Sequence, residues 1–413
     1  MVKNMGEESL KNLMKVKDAA LSCVQCGQCR VPNWPLKGVR YTCPVNKSDL
    51  SPKFEPYYAR GKNVILKGLI WGDLELSQEL ADIVFQCTVC GACEEFCHNA
   101  FNENIEFANH RWMENVRVFE ALRADLVNAG FGLEAHIPMN NAMVELLNPY
   151  ERDNKEKTKW TDELDFKIKN ANEESAEILY YVGCTAALTP SIHSVAQATA
   201  KIFHKLGIDF SIFGENEVCC GSVAMRSGDL EAFEYVAEKN AQLFKEKGIK
   251  KIVTSCAGCF RTLKKDYGKR LEGIEILHTS EFLENLIKEK NIKLKKLDKK
   301  VTYHDPCHLG RHMGVYDAPR NVLKEFVEII EMDTNRNMAM CCGAGGGVKK
   351  GFPELSLDLA RNRIKDALDT EAPILVSTCP FCYRNLSDAI KDLNAEIKMQ
   401  DLVELLLETL EIE

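Results

Sequence analysis

The sequence lacks the long apolar run that a membrane-spanning helix needs. No uninterrupted apolar stretch among its 413 residues approaches about 18 residues. The first twenty residues, MVKNMGEESLKNLMKVKDAA, are charged and amphipathic and contain no apolar core of a secretory signal. Together these absences predict a cytoplasmic protein.

An excess of basic residues is missing as well. Lys and Arg number 53 against 61 Asp and Glu, so the formal net charge is −8, which argues against a nucleic-acid partner. The content of 45% hydrophobic and 28% charged residues is that of a soluble globular protein of two or three domains. No flavin or nicotinamide fingerprint is evident, so the electrons for any redox reaction are expected to come from another protein.

Cysteine, by contrast, is abundant, and no cysteine is left over. All 18 fall in motifs, eight near the N-terminus and five in each of two repeats. In a reducing cytoplasm thiols at such spacings indicate metal ligands rather than disulfides.

Two CxxCxxC triplets dominate the N-terminal region. Cys23, Cys26 and Cys29 are followed after 13 residues by Cys43, and the triplet Cys87, Cys90 and Cys93 is followed after three residues by Cys97. Three thiolates at this spacing bind three irons of a cubane. In two-cluster ferredoxins the fourth cysteine of each run ligates the other cluster.

We therefore predict two cubane [4Fe-4S] clusters with exchanged fourth ligands. One takes Cys23, Cys26, Cys29 and Cys97, and the other takes Cys87, Cys90, Cys93 and Cys43. Zinc is the alternative, but structural zinc sites use CxxC pairs rather than triplets. The long gap before Cys43, and His98 instead of proline after Cys97, depart from the ferredoxin pattern.

The rest of the chain carries a five-cysteine pattern twice. In each copy 33 or 34 residues lie between a single cysteine and an adjacent pair, and 35 or 36 residues separate the pair from a CxxC motif. Equivalent cysteines are 122 or 123 residues apart, which identifies an internal repeat. The first copy comprises Cys184, Cys219, Cys220, Cys256 and Cys259, and the second comprises Cys307, Cys341, Cys342, Cys379 and Cys382.

Hydrophobic periodicity predicts an α+β protein overall. Residues 1–125 contain helical patterns such as ELSQELADIVFQC and ANHRWMENVRVFEALRADLVNAG, which favour a helical two-cluster ferredoxin-like domain. The composition of residues 126–176 predicts a polar linker. Residues 177–298 and 299–413 each alternate short apolar strands with amphipathic helices, which predicts two tandem α/β repeats with parallel sheets.

The repeat cysteines follow predicted strands. Cys184, Cys256, Cys307 and Cys379 each lie just past a strand's carboxyl end, where open α/β sheets bind ligands and helices present backbone N–H groups. In the second copy the glycines that follow the cysteine pair are expected to let the backbone approach a bound cluster closely. They are Gly343, Gly345, Gly346 and Gly347.

Several stretches carry a resemblance to a known family. They are YHDPCHLGRHMGVYDAPR, RNMAMCCGAGGGVKKGFPEL and LVSTCPFCYRN, beside GCTAAL, CCGS and SCAGC of the first copy. With them the chain resembles, over nearly its whole length, the CCG-domain proteins that form the D subunit of heterodisulfide reductase in methanogenic archaea.

The resemblance implies that the five cysteines of each copy bind a noncubane [4Fe-4S] cluster, so that these ten cysteines are the catalytic set. It also implies that the mixed disulfide of coenzyme M and coenzyme B is reduced between the two clusters. A membrane b-type cytochrome subunit or another redox subunit is the implied electron donor, and the cytochrome would hold the chain on the inner face of the membrane. Two clusters suit the chemistry, because a disulfide needs two electrons and thiolate products are good ligands for iron.

The second copy also places basic residues near its cysteines. His308, Arg311, His312 and Lys349 are candidates for holding anionic substrate groups or protonating a thiolate, although a structural role explains them equally simply.

Two alternative functions remain open from the sequence. One is a non-catalytic electron-transfer subunit of a flavin dehydrogenase for lactate, glycolate or glycerol 3-phosphate, or of a related respiratory complex. The other is a structural role in which the CxxC pairs hold zinc.

Overall fold

The computed structural model describes residues 9–31, 41–97 and 113–410. His98 and the first part of the second helical pattern, residues 108–112, lie outside these ranges. The chain divides into two compact units, which are described separately. Unit 1 comprises Met1–Pro138, Val223–Leu230 and Asp333–Asp366, and unit 2 comprises Met139–Ser222, Glu231–Met332 and Ala367–Glu413.

Helices make up most of the regular structure. No helix of the described ranges is both long and apolar enough to cross a membrane. The α-helices are Lys11–Met14, Lys17–Leu21, Pro44–Lys47, Ala59–Trp71, Gln78–Val84, Ala92–Glu95, Asn115–Asn128, Ile137–Glu145, Cys184–Leu188, His193–Lys205, Ser222–Ser227, Leu230–Glu246, Ala257–Arg261, Thr279–Glu289, Asp317–Lys324, Val348–Gly351, Pro353–Leu368, Pro380–Leu393 and Leu402–Leu410.

Short strands form two parallel sheets in the described part of unit 2. The first sheet has the order β1-β3-β2-β4-β5 and the second has the order β7-β6-β8-β9. Every described strand pair is parallel. The strands are β1 (Lys169–Asn170), β2 (Ile178–Tyr180), β3 (Phe210–Ile212), β4 (Lys251–Thr254), β5 (Glu275–His278), β6 (Lys300–Tyr303), β7 (Glu328–Ile329), β8 (Ile374–Ser377) and β9 (Lys398–Asp401).

The two sheets repeat each other in register. Leu179 of β2 pairs with Ile252 of β4, and the residues 123 positions later, Thr302 and Leu375, pair in the same way. The predicted α+β class, with a helical N-terminal part and two parallel-sheet repeats, is confirmed.

One hydrophobic core joins the two repeats within unit 2. It includes buried side chains from both sheets, among them Val253, Val301 and Val376. The first long helix of each repeat packs against the last helix of the other. His193–Lys205 contacts Leu402–Leu410, and Asp317–Lys324 contacts Thr279–Glu289. Neither repeat therefore completes its own core.

Part of the predicted linker is folded. Residues 126–176 include an irregular helical turn at Asn154–Thr161 and the edge strand β1. Trp160 is fully buried in the core of unit 2, and Lys157 is 2% exposed. The polar composition of the segment did not predict this packing, because a single aromatic side chain, Trp160, attaches an otherwise hydrophilic segment to the core.

Unit 1 combines the N-terminal helices with a segment of the second repeat. Asp125 accepts hydrogen bonds from the backbone N–H groups of Asn12 and Leu13, at 2.9 and 2.8 Å, and so fixes the first helix to Asn115–Asn128. The Ser48 hydroxyl donates to Asp358 at 2.6 Å. Residues 333–366, which the repeat pattern assigns to the second copy, thus contact the ferredoxin-like region directly.

Candidate metal centres

Four cysteines line one cavity in the N-terminal part of unit 1. Cys23, Cys26, Cys29 and Cys97 line it, and its volume is about 350 Å³ with the adjoining open solvent included. The Cys26 side chain is exposed and the Cys29 side chain is buried. Burial, and next the neighbouring Cys23, raise the pKa of Cys29 to about 12. The structure therefore brings Cys97, which follows the second triplet in sequence, to the first.

A second cavity holds the other four. Cys43, Cys87, Cys90 and Cys93 line it, and its volume is about 420 Å³ with the adjoining open solvent included. Burial, and next Cys87, raise the pKa of Cys43 to about 12. Four thiols brought this close cannot ionise together unless a positive centre balances them, and a bound metal lowers thiol pKa values for this reason. Both cavities fit the donor set of a cubane cluster.

The backbone around the second triplet suits a sulfur-bound centre. The N–H of Val89 donates to the Cys87 sulfur at 3.4 Å. Gly91 has φ +76°, a left-handed conformation that glycine adopts without strain, and it turns the chain between Cys90 and Cys93. The predicted ligand sets are thus spatially assembled, and the ligation itself remains a prediction.

The five cysteines of the first repeat form a connected group inside unit 2. Side-chain hydrogen bonds link Cys184 to Cys219, Cys219 to Cys220, Cys220 to Cys259, and Cys259 to Cys256. All five are buried. Because hydrogen bonds from both neighbours stabilise its thiolate, the pKa of Cys220 is lowered to about 6. Five adjacent sulfurs exceed the four that a structural zinc accepts and fit a polynuclear iron–sulfur centre.

Strand ends place these cysteines as the sequence predicts. Cys184 begins the helix that follows β2, and Cys256 precedes the helix that follows β4. Gly183 has φ +80°, and a Cβ at this position would lie 3.2 Å from the Cys259 sulfur. A glycine is therefore needed for the loop to pass so near the thiol.

A buried carboxylate holds the two loops of this site together. Glu217 accepts hydrogen bonds from the backbone N–H groups of Val182 at 2.9 Å and Gly183 at 2.8 Å. The Lys157 ammonium donates to the carbonyl of Glu217. Burial raises the pKa of Glu217 to about 7. Nothing in the sequence singled out Glu217, because its partners lie 34 and 35 positions earlier and follow no pattern.

Two further side chains anchor the cysteine pair. The Asn240 amide donates to the carbonyl of Cys219 at 2.9 Å, and the Tyr267 hydroxyl donates to the carbonyl of Cys220 at 3.1 Å. Both side chains are buried. They fix the backbone of the turn, and therefore the directions of both sulfurs.

The second repeat's cysteines are divided between the units. Cys307, Cys379 and Cys382 belong to unit 2, whereas Cys341 and Cys342 belong to the segment 333–366 of unit 1. Cys379 precedes the helix Pro380–Leu393 at the end of β8, as predicted. The predicted grouping of all five around one cluster stays a prediction. Lys349 also belongs to unit 1.

The CxxC motifs of the two repeats meet in unit 2. Cys256 and Cys379, which occupy equivalent positions, are linked by a side-chain hydrogen bond. His278 Nε2 lies 3.0 Å from the carbonyl of Thr378 and 3.3 Å from that of Ser255. The residues before both motifs are thus held by one imidazole. Because burial lowers the pKa of His278 to about 4, this imidazole is neutral at pH 7.

Two histidines of the second repeat lie beside this contact. The rings of His308 and His312 are 4.6 Å apart, and a Cβ at Gly258 would lie 3.8 Å from His308 Nδ1. Burial, followed by nearby Arg261, lowers the pKa of His308 to about 3. The charge of Arg311 lowers the same pKa further. The structure brings these predicted candidates together, and their role toward substrate remains a prediction.

The glycine run of the second repeat approaches the second cubane cavity. Gly346 has φ +65°, and a Cβ there would lie 2.7 Å from the carbonyl oxygen of Cys87. At Gly347 a Cβ would lie 2.7 Å from the ring of His136. The sequence interpretation placed these glycines against a cluster of their own repeat. Within unit 1, Gly346 lies on the loop that carries Cys87, whereas the N–H of Gly343 donates to the Cys341 sulfur at 3.3 Å, so the approach to a cluster of the second repeat stays a prediction.

A buried guanidinium connects the same two loops. Arg123 donates to the carbonyl oxygens of Val84 at 2.9 Å, Arg226 at 2.7 Å and Gly346 at 2.8 Å, and it also donates to that of Cys87. Its side chain has no exposed surface. One arginine thus fixes three separate parts of unit 1, a role that its helical position in the sequence did not reveal.

Comparisons with known proteins agree with the cysteine motifs. The model of a 4Fe-4S dicluster domain matches residues 19–101, and the model of a cysteine-rich domain, CCG, matches residues 178–264 and 301–387. Among solved structures, a hypothetical protein from Helicobacter pylori covers 99% of this chain and 77% of its own, with a TM-score of 0.53 at 9% identity, which is a likeness of fold alone.

Curated relatives match over the whole chain. The D subunit of the dihydromethanophenazine:CoB–CoM heterodisulfide reductase of Methanosarcina mazei is 39% identical, with 100% of both chains covered. The EtfAB:quinone oxidoreductase of Syntrophomonas wolfei is 28% identical over 99% of this chain and 60% of its own. The 39% identity to the Methanosarcina protein extends over the full length of both chains, and both domain models match. The chain therefore belongs to the family of heterodisulfide reductase D subunits, which are iron–sulfur oxidoreductases.

Proposed function

We propose that the chain is the catalytic iron–sulfur subunit of a heterodisulfide reductase. Electrons pass through two cubane clusters in unit 1 to two noncubane clusters, where the coenzyme M–coenzyme B disulfide is reduced to its two thiols. The observation that carries the proposal is the contact between Cys256 and Cys379, because it sets equivalent cysteines of the two repeats side by side. A disulfide held there has a sulfur-rich centre on either side.

The cysteine sets supply the ligands for this function. When bound, the noncubane clusters supply one electron each and iron atoms that accept thiolates. The chain's own residues position them, with Glu217 and Asn240 fixing the loops of the first repeat. Neither repeat has lost a cysteine of its pattern, as expected if both sites work together.

The electron donor is proposed by analogy with the family. The name of the Methanosarcina relative joins dihydromethanophenazine to the CoB–CoM disulfide. We propose a membrane b-type cytochrome subunit as the donor to this chain, which would place it in the cytoplasm, peripherally on the inner face of the membrane. Co-purification of such a subunit from solubilised membranes tests this assignment, and recovery of the chain alone from the soluble fraction speaks against it.

Iron analysis tests the cluster content. Anaerobically purified protein is expected to contain about 16 iron atoms per chain, four for each of four clusters, with matching acid-labile sulfide. It should also oxidise reduced viologen when the mixed disulfide of coenzyme M and coenzyme B is added. About eight iron atoms, with all cluster signals assigned to the N-terminal cysteines, would overturn the proposal.

A non-catalytic electron-transfer role is the second candidate. It is favoured by the EtfAB:quinone oxidoreductase of Syntrophomonas wolfei, which aligns with 99% of this chain. In that case all four clusters are reduced, but the mixed disulfide is left uncleaved. The viologen assay therefore separates the two functions, provided that a fully iron-loaded preparation is used.

A further inference from the structure

Lys62 places a buried ammonium at the second cubane cavity. It lines that cavity with Cys43 and Cys87, and its side chain is 1% exposed. Its Nζ donates to the carbonyl of Tyr57 at 2.5 Å, and in the described part of the chain it has no carboxylate partner. Burying an unpaired ammonium is costly unless an anion lies close by. The group best placed to be that anion is the content of the cavity.

The residues described around the first cavity supply no comparable charge. The nearest guanidinium, Arg60, is already paired with Glu55, with Nε to Oε2 at 2.9 Å, and its side chain is 34% exposed. Lys67, on the same helix as Lys62, donates to the carbonyl of Cys23 at 2.7 Å but is partly exposed. Water and Glu55 therefore weaken the positive field at the first site, while protein surrounds Lys62 at the second.

We infer that Lys62 is the counter-ion of the cluster bound by Cys43, Cys87, Cys90 and Cys93, and that it raises the reduction potential of this cluster above that of the cluster at the first site. One electron delivered to the exposed first cluster therefore moves on to the second, which is reduced as the first is reoxidised. The inference rests on the proposed function, because it requires that both cubane clusters are present.

The physical reason is the charge that reduction adds. A one-electron reduction makes the cluster and its four thiolates more negative by one unit. A fixed cation in a low-dielectric site stabilises that extra charge more than it stabilises the oxidised form. Burial alone acts in the opposite direction, because it disfavours added charge. Lys62 offsets this penalty only at the second site.

Electron transfer from the first cluster to the second agrees with the surroundings of the two cavities. The first has Cys26 and the 65% exposed Val24 at its rim, where a donor protein can approach. The second lies against the loop that follows Cys341 and Cys342, as the close approach of Gly346 to Cys87 shows. Electrons that collect at the second site are thus next to the unit 1 segment that carries Cys341 and Cys342.

A redox titration of the whole chain, followed by electron paramagnetic resonance, tests the inference. Lys62→Met keeps the aliphatic stem and removes the charge. The reduction potential of one cubane is expected to fall by at least about 59 mV. For a one-electron couple this shift is a tenfold decrease in the equilibrium constant of reduction. Lys62→Arg should keep the potential near that of the wild type. Cys26→Ser assigns the signals, because it changes the first site.

Lys67→Met is the matched control. It removes an ammonium from the same helix, but at the first site and where water reaches it, so a smaller shift confined to the other cubane is expected. If Lys62→Met loses the second cluster, Lys62→Gln provides the second neutral variant. Loss of that cluster in both neutral variants but not in Lys62→Arg supports the counter-ion role.

Two results would overturn the inference. One is an unchanged potential in Lys62→Met with both cubane signals present. The other is a wild-type protein in which the first cluster has the higher potential. Absence of cubane signals from iron-loaded wild-type protein would instead contradict the proposed function, so the two failures are distinguishable.

Discussion

Single buried polar residues hold the candidate sites in place. Glu217 joins the loop before Cys184 to the loop before Cys219 through two backbone N–H groups. The equivalent position of the second repeat is Ala339, so the two repeats support their cysteines differently. Such residues lie outside the cysteine pattern, yet they decide where the sulfurs point.

Glu217→Ala is expected to destabilise unit 2 by about 2–4 kcal/mol, because two buried N–H groups lose their acceptor. The first-repeat cluster signal should weaken while the N-terminal cubane signals persist. Thermal unfolding and electron paramagnetic resonance measure both effects. Glu215→Ala, at an exposed position of the same turn, is the control and should change stability by less than about 0.5 kcal/mol. Equal effects of the two variants would contradict the role given to Glu217.

Cys342→Ala removes one predicted ligand of the second repeat. Turnover of the mixed disulfide with reduced viologen should be abolished, because the second centre loses a thiolate, while cubane signals from the first hundred residues remain. Met340→Ala serves as the neighbouring control that retains all five cysteines. Full activity in Cys342→Ala would exclude the second repeat from the reaction.

His136 predicts a pH dependence for unit 1. Burial lowers the pKa of His136 to about 4 from its usual 6.5, so the folded form keeps the ring neutral. Stability from this residue is fully present above pH 6.5 and is lost as pH falls toward 4, because the unfolded chain binds the proton first. Between about pH 7 and pH 5 the expected loss is about 2 kcal/mol.

Chemical unfolding at the two pH values, compared between the wild type and His136→Gln, checks this expectation. The glutamine can still donate to the carbonyl of Gly347, which His136 contacts at 2.9 Å, but it does not titrate. The stability difference between the two proteins should therefore shrink at the lower pH. A difference independent of pH would refute the assignment.

At the scale of elements, loops carry more of the function than the strands do. The strands and long helices of both repeats could be predicted from the sequence pattern, since short apolar segments such as KIVTS alternate with amphipathic helical segments. The loop on which the glycine run packs could not be predicted from the sequence. Contacts between residues 87 and 346 join loops more than 250 positions apart, and no local pattern records them.

Gly346→Ala tests the contact between these loops. The new Cβ would meet the Cys87 carbonyl at 2.7 Å, so the loop must move away. We expect slower reduction of the second-repeat centre and an altered signal of the cubane at Cys87. Gly130→Ala has a similar φ, +86°, but open space around its Cβ, and it separates backbone strain from the clash. Rapid-freeze spectroscopy measures the rates, and identical behaviour of both variants would contradict the proposed contact.

At the scale of the whole molecule, the cysteine motifs group candidate ligands but carry no information on the boundaries of the compact units. The exchange of fourth ligands between the clusters of two-cluster ferredoxins paired Cys43 with the second triplet and Cys97 with the first, and the cavities contain those sets. The compact units, however, divide the second repeat at Asp333 and Asp366. Repeat length cannot show such a division, because periodicity reports similarity between segments and not the surfaces on which they pack.

The shared core of unit 2 predicts that one repeat does not suffice. A chain ending at residue 298 lacks the partner of helix His193–Lys205 and should aggregate or fail to unfold cooperatively. Co-expression of residues 1–294 with residues 295–413 restores every described helix pair and should yield a stable complex. Size-exclusion chromatography and circular dichroism distinguish the outcomes. A soluble, cooperatively unfolding fragment 1–298 would disprove the dependence.

The reciprocal packing of first and last helices has an evolutionary consequence. An ancestor with one copy of the pattern could have buried its apolar surface only by pairing with its twin about a twofold axis, which would have imposed identical halves. Fusion in tandem released each half to change alone, as the substitution of Ala339 for Glu217 at equivalent positions illustrates. Two repeats that have diverged in this way can bind the two unlike ends of an asymmetric molecule differently.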